Sequence, residues 1–276
     1  MEIFAGRVAA ITGAGSGIGR ALARELAGRG AHLALADIDP EGLAETVAMC
    51  EGAGVEVTTC ELDVADRTAV FAWADRVVEE HGKVNLIFNN AGVALGATVD
   101  EVDYRDFEWL IDINFWGVVH GTKAFLPHLK AAGEGHVVNL SSVFGLLAVP
   151  TQSAYNAAKF GVRGFTDALR IELEIEDCGV SATTVHPGGI KTNIANRARL
   201  SETLAALGDG RADGPGDFGK ALRMPPEKAA RLILRAVARN RRRALIGADA
   251  WALDLLSRLP AGLSQRAMVA GAKRRT

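Results

Sequence analysis

Short apolar runs recur along this chain at residues 8–12, 32–36, 55–60, 84–88, 136–140, 180–185 and 244–246, with a helical pattern between each neighbouring pair. No other feature constrains the fold as strongly. Runs of this length read as strands, and the amphipathic stretches between them, at residues 17–29, 41–50, 67–81, 104–130, 153–177 and 226–240, read as helices. The middle runs are continuously apolar rather than alternating, which a strand needs when helices cover both its faces. Repeated strand–helix units with short connections predict an α/β fold, a doubly wound parallel sheet in one domain. A chain of 276 residues is long enough to bury such a core without help from disulfides or metals.

The first run leads directly into Thr12-Gly13-Ala14-Gly15-Ser16-Gly17-Ile18-Gly19-Arg20, which opens a helix. Glycines let the backbone turn sharply there and approach a bound group without Cβ clashes. The helix start adds unpaired N–H groups and a partial positive charge, so the natural occupant is an anion such as a pyrophosphate. The spacing, Gly13-x-x-x-Gly17-x-Gly19, departs from the G-x-G-x-x-G fingerprint of Rossmann-like sheets, and a glycine motif alone is weak evidence. Asp37 strengthens it. It ends the second run 18 residues after Gly19, where a carboxylate accepts hydrogen bonds from an adenosine ribose and repels a 2′-phosphate. No arginine stands at Ser16 or directly after Asp37 to reverse that, so NAD is expected over NADP. An N-cap or a solvated strand end is the plainer role for Asp37.

The fifth run ends in Ser141-Ser142, and the next helical pattern carries Tyr155-Asn156-Ala157-Ala158-Lys159. Residues four apart share a helix face. A free phenol titrates near ~10, and a neighbouring ammonium favours the phenolate. Tyr155 is therefore expected to move toward the range useful to a general base. A serine hydroxyl at the strand end has the chemistry to donate to a developing alkoxide, and Ser141 and Ser142 qualify equally on those grounds. Alone, a tyrosine and a lysine at this spacing are common on solvated helices.

Taken together, the glycine turn, Asn89-Asn90-Ala91-Gly92, Asn114, Ser142, Tyr155-x-x-x-Lys159 and Pro187-Gly188 resemble the short-chain dehydrogenase/reductase family, in its single-domain subgroup, from Phe4 to Ile246. The resemblance implies a nicotinamide-dependent oxidoreductase that interconverts a secondary alcohol and a ketone. Tyr155 would donate or accept the proton at the carbinol oxygen. Lys159 would bind the nicotinamide ribose and lower the tyrosine pKa. Ser142, 13 residues before the tyrosine, would polarise the substrate oxygen, a spacing that selects it over Ser141. Asn114, in the long central helix, would hold a water linking Lys159 to solvent. The implied NAD contacts are Gly13, Ser16, Gly17, Ile18 and Gly19 in the turn, Asp37 at the ribose, and Asp63 and Val64 at the adenine. Asn89, Ala91 and Gly92 would run along the cofactor, with Pro187, Gly188, Ile190 and Thr192 near the nicotinamide. A homodimer or homotetramer is also implied. Two other readings remain open: a dinucleotide-binding sensor without turnover, and an epimerase or dehydratase on the same scaffold.

Residues 190–225 form a long, glycine-rich insertion expected to be a substrate lid, and residues 249–276 an extension to a dinucleotide-binding catalytic domain of residues 1–248. Val143, Phe144, Leu146 and Leu147, with Leu95 and lid residues Leu200, Leu204, Leu207, Phe218 and Leu222, predict an apolar alcohol or ketone as substrate. The lid cations Lys191, Arg197, Arg199 and Arg223 are expected to be solvated. The extension, with Trp251, Leu255 and Leu259, is expected to be a helix packed on the body or a partner subunit, membrane contact being the less favoured alternative. A net charge of -2 leaves no electrostatic footprint for nucleic acid. Scattered histidines predict no metal, and three separated cysteines predict no disulfide. The start lacks the order of a signal peptide and no run is long enough to span a membrane, so a cytoplasmic location is expected.

Overall fold

Each of the seven apolar runs becomes a strand of one parallel sheet in the computed structural model, which describes residues 2–194, 197–202, 204 and 223–273. The strands are β1 (Val8–Thr12), β2 (His32–Asp37), β3 (Val57–Glu61), β4 (Leu86–Asn89), β5 (Gly135–Leu140), β6 (Val180–Pro187) and β7 (Arg243–Ile246). Their order in space is β3-β2-β1-β4-β5-β6-β7. The chain moves outward from β1 to β3, then returns to lay β4 on the other side of β1, with Val8 beside His32 and Ala9 beside Leu86. Order therefore reverses between β1 and β4. Such a switch point opens a crevice at the carboxyl ends of the strands, where ligands of these sheets bind.

Side chains of successive strand residues point to opposite faces, and each face has its own core. On one, Ile11, Leu33, Leu35 and Phe88 pack under α1 (Gly17–Ala27) and the helix Pro226–Ala238, which supplies Ile233 and Leu234. On the other, Ala10, Ile87 and Val137 lie under α3 (Arg67–His81), α5 (Gly117–Ala131) and α6 (Ser153–Glu176). There Trp73 of α3 meets Phe125 of α5 edge to face, ring centres 4.9 Å apart. Burying a side chain of this size contributes roughly 1.5–3 kcal/mol, and the aromatic geometry about another 1.

Several sequence expectations need correcting. β3 starts at Val57 and β4 at Leu86, each two residues later than the apolar runs suggest. The Glu56 N–H goes to the His32 ring, and the Asn85 side chain accepts from Val8 N–H. The single helix expected over 104–130 is α4 (Tyr104–Ile111), a π-turn over Asp112–Trp116, and α5. Apolar periodicity cannot reveal that one extra residue is wound into the turn; π-turns of this kind concentrate at functional sites. Asn114 lies inside it.

The lid is tied down where it begins. Arg199–Leu200 pairs with Leu95–Gly96 as a small parallel sheet. Arg199, expected in solvent, pairs with Asp106 at 2.6 Å and stacks 3.6 Å over the Trp109 ring. Leu207, Gly208, Gly210, Gly214, Gly216, Phe218 and Leu222 lie outside the described residues. With the helix Pro226–Ala238 as α7, the extension forms α8 (Ala248–Ser257) and α9 (Ala261–Lys273). α8 buries Ala250 and Asp254 against the body and leaves Trp251 and Leu255 exposed. Among the described residues no helix is long and apolar enough to cross a membrane.

Candidate active site

The glycine turn between β1 and α1 is shaped from two sides. Gly13 sits at φ +65, and a Cβ on it would lie 2.8 Å from the Ala91 Cα. A Cβ on Gly19 would overlap the Gly13 carbonyl. The opposing wall is the segment after β4. Thr12 Oγ1 accepts the N–H groups of Asn90 and Ala91 at 3.0 and 3.1 Å, and Asn90 Nδ2 donates to the Thr12 and Gly13 carbonyls. Asn90 thus braces the turn across the switch point, a role its sequence context did not announce. Asn89, taken as a cofactor contact, turns its side chain inward, where Nδ2 donates to Asn139 and Thr122.

Asp37 lies at the rim of this turn. Its Oδ2 accepts the Gly15 N–H at 2.8 Å and its Oδ1 the Asp39 N–H at 3.0 Å. The N-cap of α2 (Pro40–Ala48) is Asp39, which accepts from Gly42, so Asp37 is free of that duty. Arg197 of the lid reaches to 3.5 Å from Asp39 and is not simply solvated. Thr192 closes the other side, its Cγ2 over Gly17. Ser16 begins α1 without a side-chain cap bond, and Ile18 is partly buried against the core. Asp63 is exposed, while Val64 is buried against Gly117 with its carbonyl at His120. A turn with no room for side chains, an anion-favouring helix start and a carboxylate at the strand end fit a dinucleotide.

The reacting groups gather beyond it, at the ends of β5 and β6. Lys159, in the second turn of α6, is 4% exposed; its Nζ donates to the Leu140 carbonyl at 3.0 Å and lies 5.5 Å from the centre of the Tyr155 ring. Tyr155 packs edge to face on Phe144, centres 5.9 Å apart, and Phe144 is in turn tied to Ser142. Ser142 Oγ accepts the Phe144 N–H at 3.1 Å. Ser141, equivalent in the sequence, instead donates to the Lys159 carbonyl at 2.8 Å, so its hydroxyl anchors α6. Asn114 is fully buried. Its amide exchanges two 2.8 Å bonds with the Val93 backbone, and its Oδ1 lies over Gly92.

Electrostatics here run against the expected direction. Burial pushes the Tyr155 phenol up to about 12, the Ser142 hydrogen bond pulling weakly the other way. Burial also brings the Lys159 ammonium down to about 8. Loss of solvent dominates, so Tyr155 holds its proton at neutral pH.

The loop after β6, expected near the nicotinamide, is fixed by a residue the sequence did not single out. Asp249, in the first turn of α8, accepts the Gly189 N–H at 2.6 Å, and its carboxylate occupies the space a side chain at Gly188 would need. Pro187 and Ile190 are buried beside it. The extension is therefore built into the site's wall rather than appended to it.

A model of the short chain dehydrogenase family matches residues 7–203. The oxidoreductase SadH of Mycobacterium tuberculosis is 50% identical over 272 residues, 98% of this chain and 97% of that protein. The chain belongs to the short-chain dehydrogenase/reductase family. A member from Burkholderia phymatum, solved in complex with NAD, superposes with a TM-score of 0.85 at 34% identity, over 93% of this chain and 94% of its own. The carveol dehydrogenase of Mycobacterium avium, also in complex with NAD, gives a TM-score of 0.75 at 30% identity, over 84% and 91%. This short-chain dehydrogenase/reductase is accordingly an oxidoreductase on a Rossmann-like sheet. Among its described residues, no group of three or more His, Cys, Asp or Glu is placed to hold a metal ion.

Proposed function

We propose that this oxidoreductase interconverts an apolar secondary alcohol and its ketone, with NAD as cofactor and Tyr155 as the acid/base. One observation carries the proposal: Ser142, Tyr155 and Lys159 lie together around Phe144 and the end of β5, on the carboxyl edge of the sheet that also carries the glycine turn and Asp37. When bound, NAD would accept the hydride in oxidation and its reduced form would donate it in reduction. Tyr155 gives its proton to the ketone oxygen during reduction and takes it from the alcohol during oxidation. Ser142 donates to the same oxygen and holds it against Tyr155. Lys159, with no carboxylate bridging it among the described residues, keeps an ammonium for the nicotinamide ribose and favours the phenolate when it forms. Asp37 exchanges its Gly15 contact for the adenosine ribose hydroxyls.

An apolar substrate follows from the residues near the site: Val143, Leu146 and Leu147 directly follow Ser142 and are buried, as is Leu204, and Leu95 shares an apolar cluster with Tyr155. A charged substrate would need a paired partner to offset its desolvation, and Arg199 and Arg197 already face Asp106 and Asp39. The name of one structural neighbour, a carveol dehydrogenase, agrees with alcohol chemistry. The proposal includes a cytoplasmic homodimer or homotetramer, because Ile171 and Ile175 on α6 are 55% and 81% exposed, an apolar face suited to a partner subunit.

The test is a steady-state screen of medium-chain and cyclic secondary alcohols, hydroxy acids and sugars with NAD and NADP, read by absorbance of the reduced cofactor. An apolar secondary alcohol with NAD should give the highest kcat/KM. A hydroxy acid or sugar as best substrate overturns the substrate class, and no turnover with any alcohol or ketone supports the sensor reading.

A further inference from the structure

We propose that His186 is a positioning residue for Ser142: its ring fixes the backbone of the serine loop and, through it, the hydroxyl that faces the reacting oxygen. This rests on the role proposed above for Ser142. β5 and β6 remain bonded as far as Ser141, whose N–H donates to the Val185 carbonyl at 2.9 Å. Beyond that bond the ladder ends, because Ser142 leads into the short turn Val143–Gly145. The next link between the two strands is a side chain: His186 Nδ1 lies 2.9 Å from the Ser142 carbonyl oxygen. A carbonyl only accepts, so Nδ1 carries the proton.

The other ring nitrogen shows that this bond is the ring's purpose. His186 is 0% exposed, and its Nε2 has no hydrogen-bond partner among the described residues. A buried nitrogen left unpaired is costly, and an aliphatic residue would fill the position without that cost. Val185 and Ala182, close by on the same strand, are such residues and are fully buried. Burial holds the His186 ring neutral down to about 4, so the Nδ1 donor is present at any working pH. What the ring supplies is one N–H at one point, the carbonyl of the residue proposed to polarise substrate. Ser142 needs such a fixture: its backbone is extended at φ -165, and Gly145 N–H is the other donor to its carbonyl.

Three variants separate this from mere packing. In His186→Asn the amide Nδ2 can take the place of Nδ1; in His186→Gln it is carried one bond too far, and His186→Leu has no donor. Expected are a kcat at least about 10-fold lower in the Gln and Leu variants and near wild type in Asn, since small misplacements of reacting groups are costly. The NAD dissociation constant, measured by fluorescence titration, should stay within about twofold in all three, because the cradle lies elsewhere. In a Ser142→Ala background the Gln and Leu changes should have no further effect. If the Leu variant does not fold, the comparison of Asn with Gln decides. Equal kcat in Asn and Gln, or an undiminished His186 effect without the serine hydroxyl, overturns the positioning role. Wild-type turnover in Ser142→Ala alone overturns the serine's role and this inference with it; a dead Ser142→Ala beside fully active His186 variants overturns only the inference.

Discussion

Replacing Lys159 with methionine should yield a protein that is inactive and more stable. Lys159 is 4% exposed, and its ammonium falls from an ordinary 10.5 to about 8 because burial strips it of water. At about 1.36 kcal/mol per pKa unit, the folded state carries roughly 3 kcal/mol of penalty at neutral pH for keeping that charge. Methionine retains most of the stem and removes the charge. It also abandons the Leu140 carbonyl, which accepts from Nζ at 3.0 Å, at a cost of about 1–2 kcal/mol. The net gain is about 1–2 kcal/mol, a rise of a few degrees in Tm at this chain length.

The pH dependence carries the sharper test. Between about 8 and 10.5 the unfolded chain holds a proton that folded Lys159 has lost, so wild-type stability rises with pH across that window. The penalty is full below about 8 and gone above 10.5. Methionine does not titrate, so the variant's advantage should shrink through the same window. Urea midpoints for both proteins, on each side of the window, measure it. A variant less stable than wild type at neutral pH, or an advantage that ignores pH, would refute the account of Lys159 as a charge held at the fold's expense.

Tyr155→Phe should keep the fold and NAD affinity but lose at least ~10²-fold in kcat, measured by steady-state turnover. Asp37→Ser should move the NAD/NADP ratio of kcat/KM toward NADP, because it removes both the ribose acceptor and the phosphate-repelling charge; an unchanged ratio would deny Asp37 its role. Gly19→Ala should abolish NAD binding in calorimetry, since its Cβ has no space beside the Gly13 carbonyl.

The sheet was legible because buried parallel strands must be continuously apolar, and a glycine turn between strand and helix has few uses. The family was legible only through several motifs read together, and the structure brings Ser142, Tyr155 and Lys159, the proposed catalytic residues, to one place. Residue type did not separate Ser141 from Ser142, and only the family's 13-residue spacing chose between them; in the fold the Ser141 hydroxyl is spent on the Lys159 carbonyl. Long-range pairings escaped altogether. Asn90 braces Thr12 across 78 residues and Asp249 holds Gly189 across 60, and neither partner's neighbourhood hints at the other. The direction of the Tyr155 shift was misjudged for a related reason: helix spacing shows the ammonium, whereas the loss of water depends on everything packed around it.

The clamp from Asp249 to Gly189 bears on how the protein is made. Asp37, the glycine turn and its brace at Asn90 all precede residue 93, so the nucleotide end of the crevice is encoded in the first third of the chain. The Gly189 loop waits for a carboxylate 60 residues further along the chain. During synthesis the glycine turn and its brace therefore emerge well before Thr192, which closes over Gly17, and before the carboxylate that fixes Gly189, so a ligand that binds only the folded chain can stabilise it only once all are in place. Loss of the Asp249 carboxylate would release Gly189 while leaving the glycine turn and its Asn90 brace in place.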